Sequence, residues 1–483
     1  MAESLKDKTA KGLLWGAVNN GTQQVLVLLF GIVLGRLLGP EEYGMVGMVT
    51  LFTLLGNALQ ESGFRAALVN LKTVRHADYN AVFWCSVGIG LAAYALLFAA
   101  APAIARFYHE PRLVPLARYC FLAVPIASLG TAQGAYLCRH LKVKEQALSG
   151  LTAHVVSGLL GIGLACCGCS YWGIATQSLA YLVTVTACTW RFSPWRPTLT
   201  FDFAPLRPLF AFSSKLLVTN LVSQLNNHLL SVLLGRFFHA GAVGNYHQAN
   251  KWNATGHQFV SGMIGSVAQP VLASVRDDRP RASRVFRRIL RFTAFVSFPA
   301  LFGLATVTRE LILLTVGERW TGSIPLLRLL CLGGAFVPLS LLFANLIISQ
   351  GRSALYMRNI LAQLLLQLGA VLAIAALGGG SRQMVLAYAA LQMGWLPVWL
   401  AFARRFVDLT AAGLCRDLLP FVAGAALACT AAGAAASLTG AGLLPSLGLK
   451  VATAALCYTA WVRWWDGPLL DECLTYLLKK KTT

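Results

Sequence analysis

Long apolar stretches dominate this chain, and their length decides what it can fold into. They cover about 13–35, 43–60, 81–104, 114–138, 146–166, 171–190, 209–235, 248–273, 292–316, 324–349, 356–377, 383–403, 418–438 and 444–465. Most run to roughly 20 residues, the length a helix needs to cross a hydrocarbon core. Of 483 residues 57% are hydrophobic and 12% charged, more apolar surface than a water-soluble fold of this size can hide. Inside a bilayer each segment must satisfy its own backbone hydrogen bonds, so the segments are read as helices. The expected fold is all-α, a polytopic membrane protein with about 14 transmembrane helices.

The chain also repeats itself at an interval of about 200 residues. Leu34-Gly35-Arg36 with Gly44 recurs as Leu234-Gly235-Arg236 with Gly244, and Asn20 and Gln24 recur as Asn220 and Gln224. A second echo pairs Pro115-Leu116-Ala117-Arg118 with Pro325-Leu326-Leu327-Arg328. Six spans precede a proline-rich stretch, and an even number brings the second half back to the side where the first began. The halves are therefore read as two parallel six-helix lobes around a central cavity, an arrangement suited to a carrier. The expected domains are an N-terminal lobe at 1–190, a cytoplasmic interfacial connector at 191–208 and a C-terminal lobe at 209–405. Two extra transmembrane helices at 406–465, rich in Ala and Gly, and a basic cytoplasmic tail at 466–483 complete the chain. Trp195, in the connector, is expected near the lipid headgroups.

The net charge of +22 would suit nucleic-acid binding, but the placement of the charges excludes it. With the N-terminus in the cytoplasm, most Lys and Arg residues fall in cytoplasmic loops, as positive-inside orientation requires. The densest group is Arg276, Arg279, Arg281, Arg284, Arg287, Arg288 and Arg291, and Lys479-Lys480-Lys481 lies on the same side. Lys6, Lys8 and Lys11 before a long first span mark a retained cytoplasmic end, so both termini are expected in the cytoplasm. Cys166-Cys167-Gly168-Cys169 lacks metal-site spacing and nearby His or acidic residues, and is read as packing. No phosphate-binding Gly-rich loop, His-Glu-x-x-His motif or paired carboxylates occur, so the chain is not read as an enzyme and no cofactor is expected. Transport would draw on a Na⁺ or H⁺ gradient or on the substrate's own gradient.

Polar groups inside hydrocarbon need partners or a wet cavity. The first span carries Asn19, Asn20, Gln23 and Gln24, and the seventh carries Asn220, Gln224, Asn226, Asn227 and His228. Asn20 and Gln24, like Asn220 and Gln224, are four residues apart and share a helix face. Interhelical hydrogen bonding would explain some of these residues, yet their density exceeds what packing requires. Lys251 at the start of the eighth span, with His247 and Gln248 beside it, and Lys215 in the seventh supply cations, with snorkelling toward the headgroups as the alternative for both. No acid is expected deep in any span, Glu61 being the nearest, so the cations suit an anionic ligand such as a phosphate or pyrophosphate. Arg118 and Arg328 are expected to snorkel. Gly39-Pro40-Glu41-Glu42-Tyr43-Gly44 reads as a turn into a helix with a structural role.

The stretch Leu34-Gly35-Arg36-Leu37-Leu38-Gly39-Pro40-Glu41-Glu42-Tyr43-Gly44 closely resembles the signature after the first helix of Wzx-type polysaccharide flippases. Glu61-Ser62-Gly63-Phe64, Gly244-Asn245-Tyr246 and Pro325-Leu326-Leu327-Arg328-Leu329-Leu330 fit the same family, and the likeness covers essentially the whole chain. Within the superfamily that also holds multidrug exporters and lipid II flippases, the chain looks closest to colanic-acid-type members. The resemblance implies an inner-membrane carrier that moves oligosaccharide on undecaprenyl pyrophosphate from the cytoplasmic to the periplasmic leaflet by alternating access. Its partners would be that lipid-linked oligosaccharide, the bilayer, and a polysaccharide polymerase with its chain-length regulator. Lys251 and Lys215 would then meet the pyrophosphate, and Asn20, Gln24, Gln224 and Asn227 the sugars. The two last helices would form a groove for the lipid tail. Many relatives carry an acid in the seventh span where this chain has Asn226-Asn227, which argues against a carboxylate-based ion site there. The rival readings are a multidrug or small-cation exporter, which needs a buried carboxylate, and a membrane-embedded glycan polymerase or ligase, which needs a large outer loop.

Overall fold

The structure, a computed structural model, describes residues 5–440 and 442–479, with side chains described from residue 21 onward except at 207–212, 215, 266, 267, 353, 469 and 472–479. Among the described residues all regular structure is helical. Contacts divide the chain into two units, Met1–Gly244 and Asn245–Thr483. The first holds α1 (Leu5–Leu37), α2 (Pro40–Glu61), α3 (Phe64–Asn70), α4 (His76–Tyr108), α5 (Leu113–Cys120), α6 (Ala123–Ser128), α7 (Thr131–Arg139), α8 (Val143–Cys166), α9 (Tyr171–Phe192) and α10 (Arg207–Phe237). It ends in the first turn of α11 (Ala240–Ser274). The second unit continues through α12 (Arg279–Thr306), α13 (Thr308–Thr315), α14 (Ser323–Gly334), α15 (Val337–Ser349), α16 (Ser353–Ala376), α17 (Ser381–Gly394), α18 (Leu396–Ala403), α19 (Ala411–Thr439) and α20 (Leu443–Lys479).

Each expected span falls on a helix or an interrupted helix, to within a residue at its ends. Four are interrupted: 114–138 is α5 to α7, 292–316 is α12 and α13, 324–349 is α14 and α15, and 383–403 is α17 and α18. Three of these breaks lie just before prolines, whose missing N–H leaves a carbonyl to find another donor. Phe121 O, four residues before Pro125, accepts from Val124 N at 3.0 Å instead. Pro338 and Pro397 stand in the first turns of α15 and α18, where a helix tolerates proline. Among the described residues eight helical spans are long and apolar enough to cross a membrane alone, and nine if the bent α5–α7 segment is one span. The helices α2, α9, α10 and α11 are as long, but polar side chains lower their hydropathy, so they require protein neighbours or water.

The two motif glycines explain each other. A Cβ on Gly44 would lie 1.7 Å from the carbonyl oxygen of Ala240, and one on Gly244 would lie 1.7 Å from that of Pro40. Pro40 and Ala240 are themselves 200 residues apart, so the repeat is realised as a reciprocal backbone contact between α2 and the first turn of α11. Only glycine allows backbones this close. The turn before α2 is closed by Glu42, whose carboxylate accepts from Gly39 N at 2.9 Å.

The segment 191–208 is not a loose surface strap. Trp195, expected at the headgroups, is 7% exposed and packs with Phe64, Tyr79, Phe83 and Ala132. Its Nε1 donates to His76 Nδ1 at 3.1 Å, which satisfies the indole in its buried place. Asn80 holds the following strand-like residues: its Nδ2 donates to Thr200 O at 2.6 Å and its Oδ1 accepts from Thr198 N at 2.9 Å. Nearby, Arg139 closes the end of α3 by donating to the carbonyls of Leu68, Val69, Leu71 and Lys72.

Candidate functional site

In the first unit seven helices, α1 to α3 and α6 to α9, line a polar cavity of about 440 Å³. Gln23 enters from α1, Asn57, Gln60 and Glu61 from α2, Gln146 and Ser149 from α8, and Tyr181, Thr186 and Thr189 from α9, with Thr131 of α7 at its wall. Thr131 Oγ1 donates to Gln60 Oε1 at 3.0 Å, and Asn57 Oδ1 is buried without a partner. Glu61 and Arg65 bring one carboxylate and one guanidinium to its lining. A space ringed by amides and hydroxyls offers neutral donors and acceptors, which suits hydroxyl-rich or hydrated ligands rather than apolar ones.

The residues singled out in the sequence are placed as follows. The side chains of Asn20 and Lys215 lie outside the described residues. Gln24 is exposed on α1 and is not part of the cavity wall, where its neighbour Gln23 stands instead. On α10, Gln224 is half-buried and Asn227 exposed, while Asn226 Oδ1 is buried without a partner. In the second unit Lys251 and His247 are half-buried on α11, and Gln248 is 3% exposed. Lys251 O accepts from Thr255 Oγ1 at 2.9 Å. Arg118 does more than snorkel: its guanidinium stands 4.2 Å from the centre of the Phe98 ring, and its Nε is buried. Arg328 is exposed.

The expectation that no acid lies deep in a span is corrected by the structure. Glu310, within the span read at 292–316, is 4% exposed and accepts from Lys450 Nζ at 2.6 Å and Ser446 Oγ at 3.1 Å. Asp417, one residue before the span read at 418–438, is also buried, 5% exposed, and takes a bidentate pair from Arg287, at 2.7 and 2.8 Å. These acids are tolerated because each meets a cation. The lysine inside the fourteenth span was the signal for the first pair, since a buried ammonium requires an acid.

A second overlooked feature is a polar stripe on α16. Asn359, Gln363 and Gln367 are spaced four residues apart and are all buried. Gln363 Nε2 donates to Gln392 Oε1 at 3.0 Å, Gln392 Nε2 donates to Tyr388 Oη at 3.2 Å, and Trp395 Nε1 donates to Asn359 Oδ1 at 3.2 Å. Gln367 ends the stripe with both amide atoms buried and unpartnered. Along α19 and α20 an apolar groove of about 680 Å³ is walled by Gly424, Ala428, Ala431, Cys457 and Trp461. Small residues on both helices make the room.

A family model described as "Polysaccharide biosynthesis protein" matches residues 33–325. The chain belongs to that family. It is 27% identical over 344 residues to the lipopolysaccharide biosynthesis protein WzxC of Escherichia coli (strain K12), covering 68% of each chain. It is 24% identical over 470 residues to the teichuronic acid biosynthesis protein TuaB of Bacillus subtilis (strain 168), covering 94% of this chain and 95% of that one. The succinoglycan biosynthesis transport protein ExoT of Rhizobium meliloti (strain 1021) is 24% identical, with 64% and 63% covered. Among solved structures the lipid II flippase MurJ, in an inward closed conformation, superposes with a TM-score of 0.77 at 14% identity. The match covers 95% of this chain and all of that one. An inward-facing multidrug transporter of the MATE family gives a TM-score of 0.65 at 18% identity, over 79% and 94%. These likenesses bear out the Wzx-type resemblance and the polytopic all-α fold.

Proposed function

We propose that the protein is a flippase for lipid-linked oligosaccharide in surface polysaccharide biosynthesis. The observation that carries this reading is the family membership, joined to polar side chains on helices that are otherwise apolar. A pyrophosphate and several sugars cross hydrocarbon slowly because they must shed water. A wet, polar path through helices removes that cost without breaking any bond, so the protein acts as a carrier and not as an enzyme. The names of WzxC, TuaB and ExoT place those relatives in the making of lipopolysaccharide, teichuronic acid and succinoglycan, which supports a glycan cargo here. MurJ supports a lipid carrier on that cargo.

In this proposal the lobes are 1–190 and 209–405, joined by 191–208, with the protein in the inner membrane and both termini in the cytoplasm. Lys251 and Lys215 attract the pyrophosphate, with His247 and Gln248 beside Lys251. Asn20, Gln24, Gln224 and Asn227 hydrogen-bond the sugars. The apolar groove along α19 and α20, about 680 Å³ and walled mainly by small residues, takes the isoprenoid tail. Replacing Lys251 with Ala should reduce transport about tenfold or more while leaving the melting temperature unchanged, as expected when one charge-assisted hydrogen bond to an anion is lost. A stable Lys251→Ala protein that transports at the wild-type rate would remove Lys251 from the site.

A drug exporter of the same fold would attract cations with a free buried carboxylate. Glu310 and Asp417 are buried but already engaged by Lys450 and Arg287, which leaves them poorly placed for that task.

A further inference from the structure

Four arginines of α12 fall on one face of the helix, at positions 284, 287, 288 and 291. Like charges at this spacing repel, so such a stripe needs counter-charge. The neighbouring helices supply part of it. Asp417 of α19 takes Arg287 in a bidentate pair, and Asp466 of α20 accepts from Arg291 Nη2. These ion pairs hold two guanidinium groups in place. Arg284 has no hydrogen bond or ion pair among the described residues, and both Arg284 and Arg288 are exposed. The four arginines, the two aspartates and Pro468 enclose an open cavity of about 440 Å³. Four arginines and two aspartates line that wall, and the Arg284 charge is met by no described residue.

The depth of the cavity is marked by the helix that closes it. α20 leaves helical geometry at Asp466 (φ −145°, ψ 58°), just before Gly467 and Pro468. Immediately ahead of that kink stand Trp464 and Trp465, 75% and 53% exposed. Tryptophans exposed at the end of a membrane-spanning segment sit at the headgroup level, where an amphipathic ring meets both water and lipid. The apolar part of α12 begins beyond Arg291, so the same depth follows from that helix.

We propose that this cavity is a binding site for the phosphate group of a membrane lipid. Arginine forks match phosphate oxygens in pairs, and basic pockets between membrane helices at headgroup depth take anionic headgroups. A phosphodiester lipid and an isoprenoid pyrophosphate share the chemistry that the site reads. The site is built on α12, α19 and α20 and uses none of the residues assigned to the cargo, so it does not depend on the flippase reading.

The test uses the full chain in an uncharged detergent and compares wild type with Arg284→Gln and with Arg284→Gln/Arg288→Gln. Arg287 and Arg291 are left in place, because their loss would strand buried Asp417 and half-buried Asp466 and unsettle the fold. Retention of phosphatidylglycerol, farnesyl pyrophosphate, diacylglycerol, farnesol and inorganic pyrophosphate is read by native mass spectrometry, with melting curves run alongside. Wild type should retain phosphatidylglycerol or farnesyl pyrophosphate, and competition between the two shows which lipid is preferred. Retention should fall in the single variant and by about tenfold or more in the double variant. Diacylglycerol and farnesol should bind all three proteins alike. Equal retention of the phosphate lipids by wild type and a normally melting double variant would overturn the proposal. So would inorganic pyrophosphate that displaces them as well as they displace each other, since the site would then recognise a free anion and not a lipid.

Discussion

Lys450 stands in the fourteenth apolar stretch, 14% exposed at its side chain, and is held there by Glu310, 6% exposed. Replacing Lys450 with Met leaves a carboxylate buried without its cation, and should destabilise the protein by about 3–5 kcal/mol. Lys450→Met combined with Glu310→Gln should recover most of that loss, because the buried charge is gone. Thermal melting of the four proteins in one detergent checks both statements. The pair was available in the sequence as a lysine in a span and an acid in another. Neither residue announces the other, because they are 140 residues apart and only the fold brings them together. Lys251 stands out in the sequence for a different reason, since it lies in a largely polar run from Asn245 to Asn253. At the surface, Arg112 hydrogen-bonds Glu110 and holds its carboxyl below the ordinary glutamate range. A lowered folded-state pKa adds stability above the unfolded value and loses it as pH falls through the folded one. The Glu110→Gln variant should therefore match wild type in melting temperature in strong acid and fall slightly below it near neutrality. Arg112 is 54% exposed, so solvent screening keeps the difference small.

Helices and their junctions were legible wherever one residue type imposes the local geometry. Pro125, Pro338 and Pro397 stand in the sequence and explain three of the four interrupted spans. No proline marks the break between α12 and α13 or the 44° bend between α6 and α7. Gly44 and Gly244 stand out in the sequence as a repeat, and their reason is three-dimensional, Gly44 lying against the Ala240 carbonyl and Gly244 against that of Pro40. Gly44→Ala or Gly244→Ala must push two backbones apart, and either should cost about 1–3 kcal/mol by overpacking. Alanine at Gly262, where nothing lies within 4 Å, is the control and should be neutral or nearly so. Connector 191–208 was read from its prolines as interfacial, and prolines alone could not show that Asn80, His76 and Trp84 bind it. Trp195→Ala should cost about 3–5 kcal/mol, visible as a lower melting temperature, as for a large aromatic removed from a packed core.

For the molecule as a whole, apolar length and charge asymmetry were enough to foresee a helical membrane protein, because a bilayer permits few alternatives. The site was only partly legible. Polar residues in spans one and seven are visible by their cost in hydrocarbon, whereas the wall that Gln23, Asn57, Gln60 and Ser149 build together depends on how seven helices meet. The Asn359–Gln363–Gln367 stripe had helical spacing in plain view, but its meaning depends on Gln392 and Trp395 across from it. The central claim is transport of a lipid-linked oligosaccharide, and one experiment meets it directly. Cells depleted of this protein are converted to spheroplasts and probed with a membrane-impermeant glycosidase, while total lipid-linked product is extracted in parallel. The account expects the intermediate to accumulate and to resist the enzyme until the membrane is opened, with wild-type protein restoring exposure. An intermediate that is cleaved in intact, depleted spheroplasts yet remains unpolymerised would contradict it, and would assign the protein to a step after flipping.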